Sequence, residues 1–263
     1  MLYKFGTILI VMLLLLGVHN IVIAKDITPE LKKELDEIKE GQKALHEEIK
    51  FIKDMLLKGN NPTMPVPSRA IVYNVEFELG DNPVIGNESA PLVVIEFSDY
   101  QCSFCARHTK ETYPDIFEKY IKTGKLRYVF MDKPLPGHNM ANEAVGAAYC
   151  ASKQGKFIEM HNEMMSNQDA INDLTSLATS IDLDINQFKN CMASKDYNEK
   201  LAKNLELASK LQISGVPCFV LASKDHSNPQ KVKGISFIQG ALPLANFQMV
   251  IDTVLADLNK NKI

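Results

Sequence analysis

At 263 residues, 46% of them hydrophobic and 23% charged, the chain has material for one good-sized domain with accessory segments, and too little for two full domains. Its 29 basic and 32 acidic side chains are interspersed and leave a net charge of -3. No electrostatic footprint for nucleic acid or an anionic membrane surface stands out, so nucleic acid is set aside as a partner.

Lys4 precedes an apolar run over 5–18, and Val22-Ile23-Ala24 follows with small or modest side chains. This is the layout of a signal peptide over 1–24, cleaved after Ala24. The run is shorter than the roughly 20 apolar residues that span a bilayer, which argues against an uncleaved anchor. Export makes disulfides persistent, so the five cysteines are expected to be paired or reactive, with at least one left over.

Thr28-Pro29-Glu30 reads as a helix start, with a cap, a proline at the first helical position and an acid in the first turn. Leu31, Ile38, Leu45 and Ile52 then share one heptad position, and Leu35, Gln42, Ile49 and Leu56 the other. Glu34 and Glu48 lie five residues before Lys39 and Lys53, where a parallel partner helix would offer opposite charge. The strict seven-residue repeat favours a parallel, homo-oligomeric coiled coil over 25–58, against a single amphipathic helix packed on the domain. Three prolines within Pro62-Thr63-Met64-Pro65-Val66-Pro67 mark an extended linker over 59–69.

Ile71, Tyr73, Val75 and Phe77 alternate with mostly polar neighbours, as in a strand with one buried face, and Gly80-Asp81-Asn82-Pro83 is a turn. Leu92-Val93-Val94-Ile95-Glu96-Phe97 is the nearly continuous apolar run of a central strand buried on both faces. A helical pattern over 102–123 and a strand over 126–131 complete an α/β unit. Several short helices are expected over 139–211, then strands over 216–221 and 232–238 and a last helix over 243–258.

The only CxxC, Cys102-Ser103-Phe104-Cys105, falls where the central strand gives way to a helix. Unpaired N–H groups and the helix dipole at such a junction lower a thiol's pKa and favour the thiolate, the attacking species in disulfide exchange. A structural pair or a chance CxxC would not require that junction. A zinc site would need two further ligands, and Cys150, Cys191 and Cys218 are scattered, so no metal is expected. Arg107 and His108, one turn on, read as solvated helix surface.

Glu96-Phe97-Ser98-Asp99-Tyr100-Gln101-Cys102-Ser103-Phe104-Cys105-Ala106-Arg107-His108, followed much later by Gly215-Val216-Pro217, resembles the DsbA family of bacterial disulfide oxidoreductases over roughly 75–258. The resemblance implies an α/β thioredoxin fold over 70–263 with a helical insertion at about 137–211. It implies that Cys102 is the exposed nucleophile, Cys105 its buried partner and Glu96 a buried acid that exchanges a proton with Cys105. Val216-Pro217 would form a cis-proline loop that, with Ser103 and Phe104, meets an extended substrate. Cys218 departs from the family pattern and reads either as a small buried residue or as a third redox thiol. Phe104 supplies no cation to the thiolate, where oxidising members often carry histidine.

Cys150 and Cys191 are expected to pair, because both lie in helical segments of an exported chain and neither has a closer partner; similar proteins often carry cysteines at corresponding places. Two free thiols, or a pair with Cys218, are the other arrangements. The resemblance further implies no cofactor, and a site of action in the periplasm or cell envelope of a bacterium. The partners it implies are unfolded or misoxidised exported proteins and a membrane redox partner that recycles the CxxC. A different reading is a coiled-coil structural or adhesive envelope protein with a passive thioredoxin module.

Overall fold

The computed structural model describes residues 75–225 and 227–260, together with Lys32, Lys39 and Gln42, which are helical and exposed. The chain divides into two units, Met1–Val66 and Pro67–Ile263. The expected signal peptide, the linker and most of the coiled coil lie outside the described residues. Among the described residues, no helix is long and apolar enough to cross a membrane.

Six strands form one mixed sheet: β1 (Glu76–Glu78), β2 (Val84–Ile85), β3 (Leu92–Ser98), β4 (Leu126–Asp132), β5 (Cys218–Lys224) and β6 (Lys231–Gln239). Their order is β1-β6-β5-β3-β4-β2. Only β3 and β4 run parallel, and the crossover this requires is made by α1 (Ser103–Glu111) and α2 (Tyr113–Ile116), which runs into a π-helical turn, Phe117–Ile121. The single helix expected over 102–123 is therefore interrupted at Thr112. Pro114 stands in the first turn of α2 and has no N–H to continue the ladder of α1, so the helix ends before it.

The alternating strand expected over 71–77 is shorter than that pattern: β1 covers three residues, of which only Phe77 is buried, and Ile71 and Tyr73 lie outside the described residues. Between β4 and β5 come α3 (Ala141–Ser152), α4 (Phe157–Ser166), a 3-10 helix (Gln168–Asp173), α5 (Leu174–Ser180), α6 (Ile185–Ser194) and α7 (Tyr197–Lys210), and α8 (Leu244–Lys260) closes the fold.

The central strand β3 is buried along its length except at its last residue, because both faces are covered. Val93, Ile95 and Phe97 pack with Leu211, Ile213 and Val220 on one face. Leu92 and Val94 pack with Phe219, Leu221, Phe247 and Ile251 on the other. Each such large side chain contributes about 1.5–3 kcal/mol on burial. A third cluster fills the helical region with Ala144, Ala148, Met160, Met164 and Phe188, and Cys102 and Cys105 belong to it. The polar turn before β2 is fixed to α7 by a reciprocal amide pair: Asn82 and Asn204, both buried, donate to each other's Oδ1 at 2.9 and 2.8 Å.

Candidate active site

Cys102 is the residue that caps α1. Its backbone is extended (φ -81°, ψ 117°), its N–H donates to the Asp99 carbonyl at 3.1 Å, and its own carbonyl accepts from the Ala106 N–H at 3.1 Å. The sulfur thus stands where a serine or aspartate oxygen usually caps a helix, facing donors that have no helical partner. The thiol is pushed down from 9.0 to about 6. The S–H of Cys105, donated to the Cys102 sulfur, is the largest cause; burial opposes it; the backbone N–H groups of Cys105 and Phe104 add to the lowering, and the charge of Asp99 opposes it. At neutral pH Cys102 is mostly thiolate.

Cys105, fully buried one turn inward, behaves in the opposite way. Burial, then its hydrogen bond to Cys102, then the charge of Glu96 hold its thiol far above the ordinary range. Glu96 lies on the same face of β3 as Leu92 and Val94, 1% exposed. Burial pushes it up to about 7, against the lowering effect of the Tyr128 hydroxyl, which donates to Oε2 at 2.8 Å. A carboxyl that titrates near neutrality beside a thiol that resists ionisation is suited to exchange a proton with it.

Val216-Pro217 is a cis peptide, and the Val216 carbonyl oxygen is 3.7 Å from Cys102 Sγ. Under that loop Cys102 is only 6% exposed, which corrects the expectation of an openly exposed nucleophile. Ser103 is exposed in the first turn of α1, and Phe104 is 54% exposed. The Arg107 guanidinium lies 5.0 Å from the Phe104 ring centroid and donates to the Ala241 carbonyl at 3.0 Å. Cys150 of α3 and Cys191 of α6 are joined as a disulfide with Cα atoms 5.8 Å apart. Cys218 is a buried thiol in the cluster on the sheet face away from Phe219, and burial pushes it up to about 12.

His108 is not solvated surface: it is fully buried, packed on Phe219 and Phe247. The signal for this was its place three residues after Cys105, hence on the same face of the helix. The loop ahead of Cys102 is also pinned more firmly than its polar sequence suggests. Asp99 Oδ1 accepts from the Gln101 N–H at 2.7 Å, and Oδ2 accepts from the Leu135 N–H at 2.6 Å and lies 2.8 Å from His138 Nδ1. Gln101 Oε1 accepts from the Met140 N–H at 2.7 Å. Apart from the local turn between Asp99 and Gln101, no local pattern could have paired these residues. Among the described residues no cluster of three or more His, Cys, Asp or Glu side chains is arranged to hold a metal.

Residues 78–238, more than half of the chain, match the family model described as Thioredoxin. The chain belongs to the thioredoxin family. It is 30% identical over 156 residues to Na(+)/H(+) antiporter NhaA 3 of Salinispora tropica, covering 58% of this chain and 23% of that protein. The chain thus spans under a quarter of that relative's length. It is 30% identical over 166 residues to the probable disulfide bond formation protein D of Bacillus cereus, covering 59% of this chain and 76% of that one. Its mixed α/β thioredoxin-like fold is similar to the crystal structure of Wolbachia pipientis alpha-DsbA1, at 26% identity and a TM-score of 0.58, over 70% of this chain and 96% of that one.

Proposed function

We propose that this chain is a protein-disulfide oxidoreductase in which Cys102 exchanges with substrate and Cys105 opens or closes the ring. The observation that carries the reading is the placement of the pair: Cys102 caps α1 with its sulfur 3.7 Å from the Val216 carbonyl of the cis-proline loop, and Cys105 is fully buried one turn inward, which favours the thiolate at Cys102 and disfavours it at Cys105. In the oxidising direction a substrate thiolate attacks Cys102 Sγ of the Cys102–Cys105 disulfide. Cys105 leaves as the thiolate and takes the proton of the Glu96 carboxyl. A second substrate thiolate then attacks the substrate sulfur of the mixed disulfide and expels Cys102 as a stable thiolate. Two substrate thiols are oxidised and the CxxC is reduced; the reverse sequence reduces or isomerises a disulfide, and the redox couple the protein meets sets the direction. The Val216 backbone beside Cys102 offers an extended substrate a strand-like partner.

The signal-like segment over 1–24 and the persistent Cys150–Cys191 pair support action on unfolded or misoxidised exported proteins in the periplasm or cell envelope, with a membrane redox partner recycling the CxxC. The heptads over 25–58 support self-association. A passive module in an adhesive protein would give no reason for an ionisable acid buried beneath Cys105.

The test is insulin reduction together with trapping. Cys102→Ser should abolish turnover, and Cys105→Ser should accumulate a mixed disulfide through Cys102. Full turnover by Cys102→Ser would overturn the proposal.

A further inference from the structure

Behind Glu96 a hydrogen-bonded chain continues away from the thiols. Tyr128 Oη lies 2.8 Å from Glu96 Oε2 and 3.2 Å from His108 Nε2, and all three side chains are buried. A tyrosine hydroxyl has one hydrogen to give, so it can serve both neighbours only by donating to one and accepting from the other. An ionised Glu96 is an acceptor only; Tyr128 then donates to it, and His108 Nε2 must carry its hydrogen and donate to Tyr128. A protonated Glu96 permits the reverse chain, in which His108 receives at Nε2 and holds its hydrogen on Nδ1.

The two arrangements are unequal. His108 Nδ1 is buried with no hydrogen-bond partner among the described residues, and an orphaned N–H there is worse tolerated than an orphaned lone pair. His108 therefore prefers the Nε2–H tautomer, whose hydrogen points along the chain toward Glu96.

The surroundings leave this chain as the main support of a charged Glu96. Besides Tyr128 of β4, the titratable groups that face the carboxyl are Cys105 of α1, Tyr113 of α2 and Tyr100 ahead of α1. His108 faces His161 of α4 and the apolar rings of Phe219 of β5 and Phe247 of α8. Burial keeps both histidines neutral, so neither supplies a cation, and among the described residues the hydrogen bond that reaches the carboxyl is the one from Tyr128 to Oε2, Oε1 having no partner. A carboxylate without a nearby cation depends on its donors to ionise.

We propose that His108, acting through Tyr128, is a positioning residue that holds Glu96 in readiness to accept the proton of Cys105. The role of Glu96 rests on the oxidoreductase reading above; the chain from His108 to Glu96 does not.

The experiment follows the protonated Glu96 carboxyl by its infrared absorption, assigned as the band lost in Glu96→Gln, across a pH series of the reduced full chain, with disulfide-exchange rates recorded in parallel. His108→Leu and Tyr128→Phe should each raise the carboxyl midpoint by about one pH unit, a tenfold change in its ionisation equilibrium, and the exchange profile should move with it. His108→Gln, which keeps an N–H donor at similar reach, should stay with the wild type, and the double variant should shift no further than Tyr128→Phe. A purely packing role for His108 would lower stability and leave the midpoint in place. An unchanged midpoint in folded His108→Leu overturns the proposal, as does a shift in His108→Gln equal to that of the leucine variant; should the leucine variant not fold, an unchanged midpoint in Tyr128→Phe overturns it. A protein that shows these infrared shifts without any exchange activity would sink the oxidoreductase reading and leave the hydrogen-bonded chain standing.

Discussion

Cys102 Sγ lies 3.7 Å from the carbonyl oxygen of Val216, although 114 residues separate them in the chain. The sheet explains the meeting. Cys102 follows the end of β3, Val216 precedes the start of β5, and the antiparallel register sets Phe97 opposite Cys218. Both loops therefore leave the same end of two adjacent central strands.

Glu96→Gln should stabilise the reduced protein in a pH-dependent way. A carboxyl raised from 4.5 to about 7 favours the fold below pH 4.5, where it is protonated in both states, and that advantage is lost as pH rises through about 7. The shift corresponds to up to about 3 kcal/mol, which glutamine should recover above neutrality and hardly at all near pH 4. Urea unfolding at the two pH values measures it, and equal gains at both would contradict the assignment.

Replacing Cys150 and Cys191 together by alanine opens a link across 41 residues. The chain-entropy model gives a loss of about 4 kcal/mol. Thermal unfolding should fall accordingly, while the exchange rate of the surviving Cys102–Cys105 pair below the transition stays unchanged.

Gly146 of α3 lets Tyr197 of α7 approach closely: a Cβ there would stand 2.7 Å from the tyrosine ring. The ring is 5% exposed and has little room to withdraw. Gly146→Ala should destabilise by about 1–3 kcal/mol despite alanine's better helix propensity, and a neutral or stabilising result in denaturant unfolding would contradict the packing.

Sedimentation tests the segment over 25–58. The chain without its first 24 residues should sediment as an oligomer at micromolar concentration, and one beginning after residue 58 as a monomer. A monomer in the first case would rule out the parallel coiled coil.

The features legible in the sequence were those with a local period. The apolar run of β3 announced a strand buried on both faces, and its junction with the CxxC placed Cys102 at a helix start. Pro114 carried a local signal too, but the amphipathic pattern on either side of it reads as one helix. His108 and Tyr128 were hidden for a different reason. Each is a polar residue on an inward face, His108 one turn beyond Cys105 and Tyr128 two residues before Phe130, which pairs with Glu96 in the sheet. Hydropathy assigns such residues outward, and only the three-dimensional register brings them under Glu96. The contact of Asp99 with His138 spans 39 residues and has no periodic signature.

The central claim is that Cys102 is the acidic, attacking thiol of the pair. Alkylation of the reduced protein across a pH series, with the modified cysteine identified by peptide mapping, measures this directly. The rate at Cys102 should rise with a midpoint near pH 6, the value to which its thiol is pushed down, while Cys105 and Cys218 remain unmodified in the folded state. A midpoint near 9, the ordinary thiol value, or earlier modification of Cys105 would contradict the account.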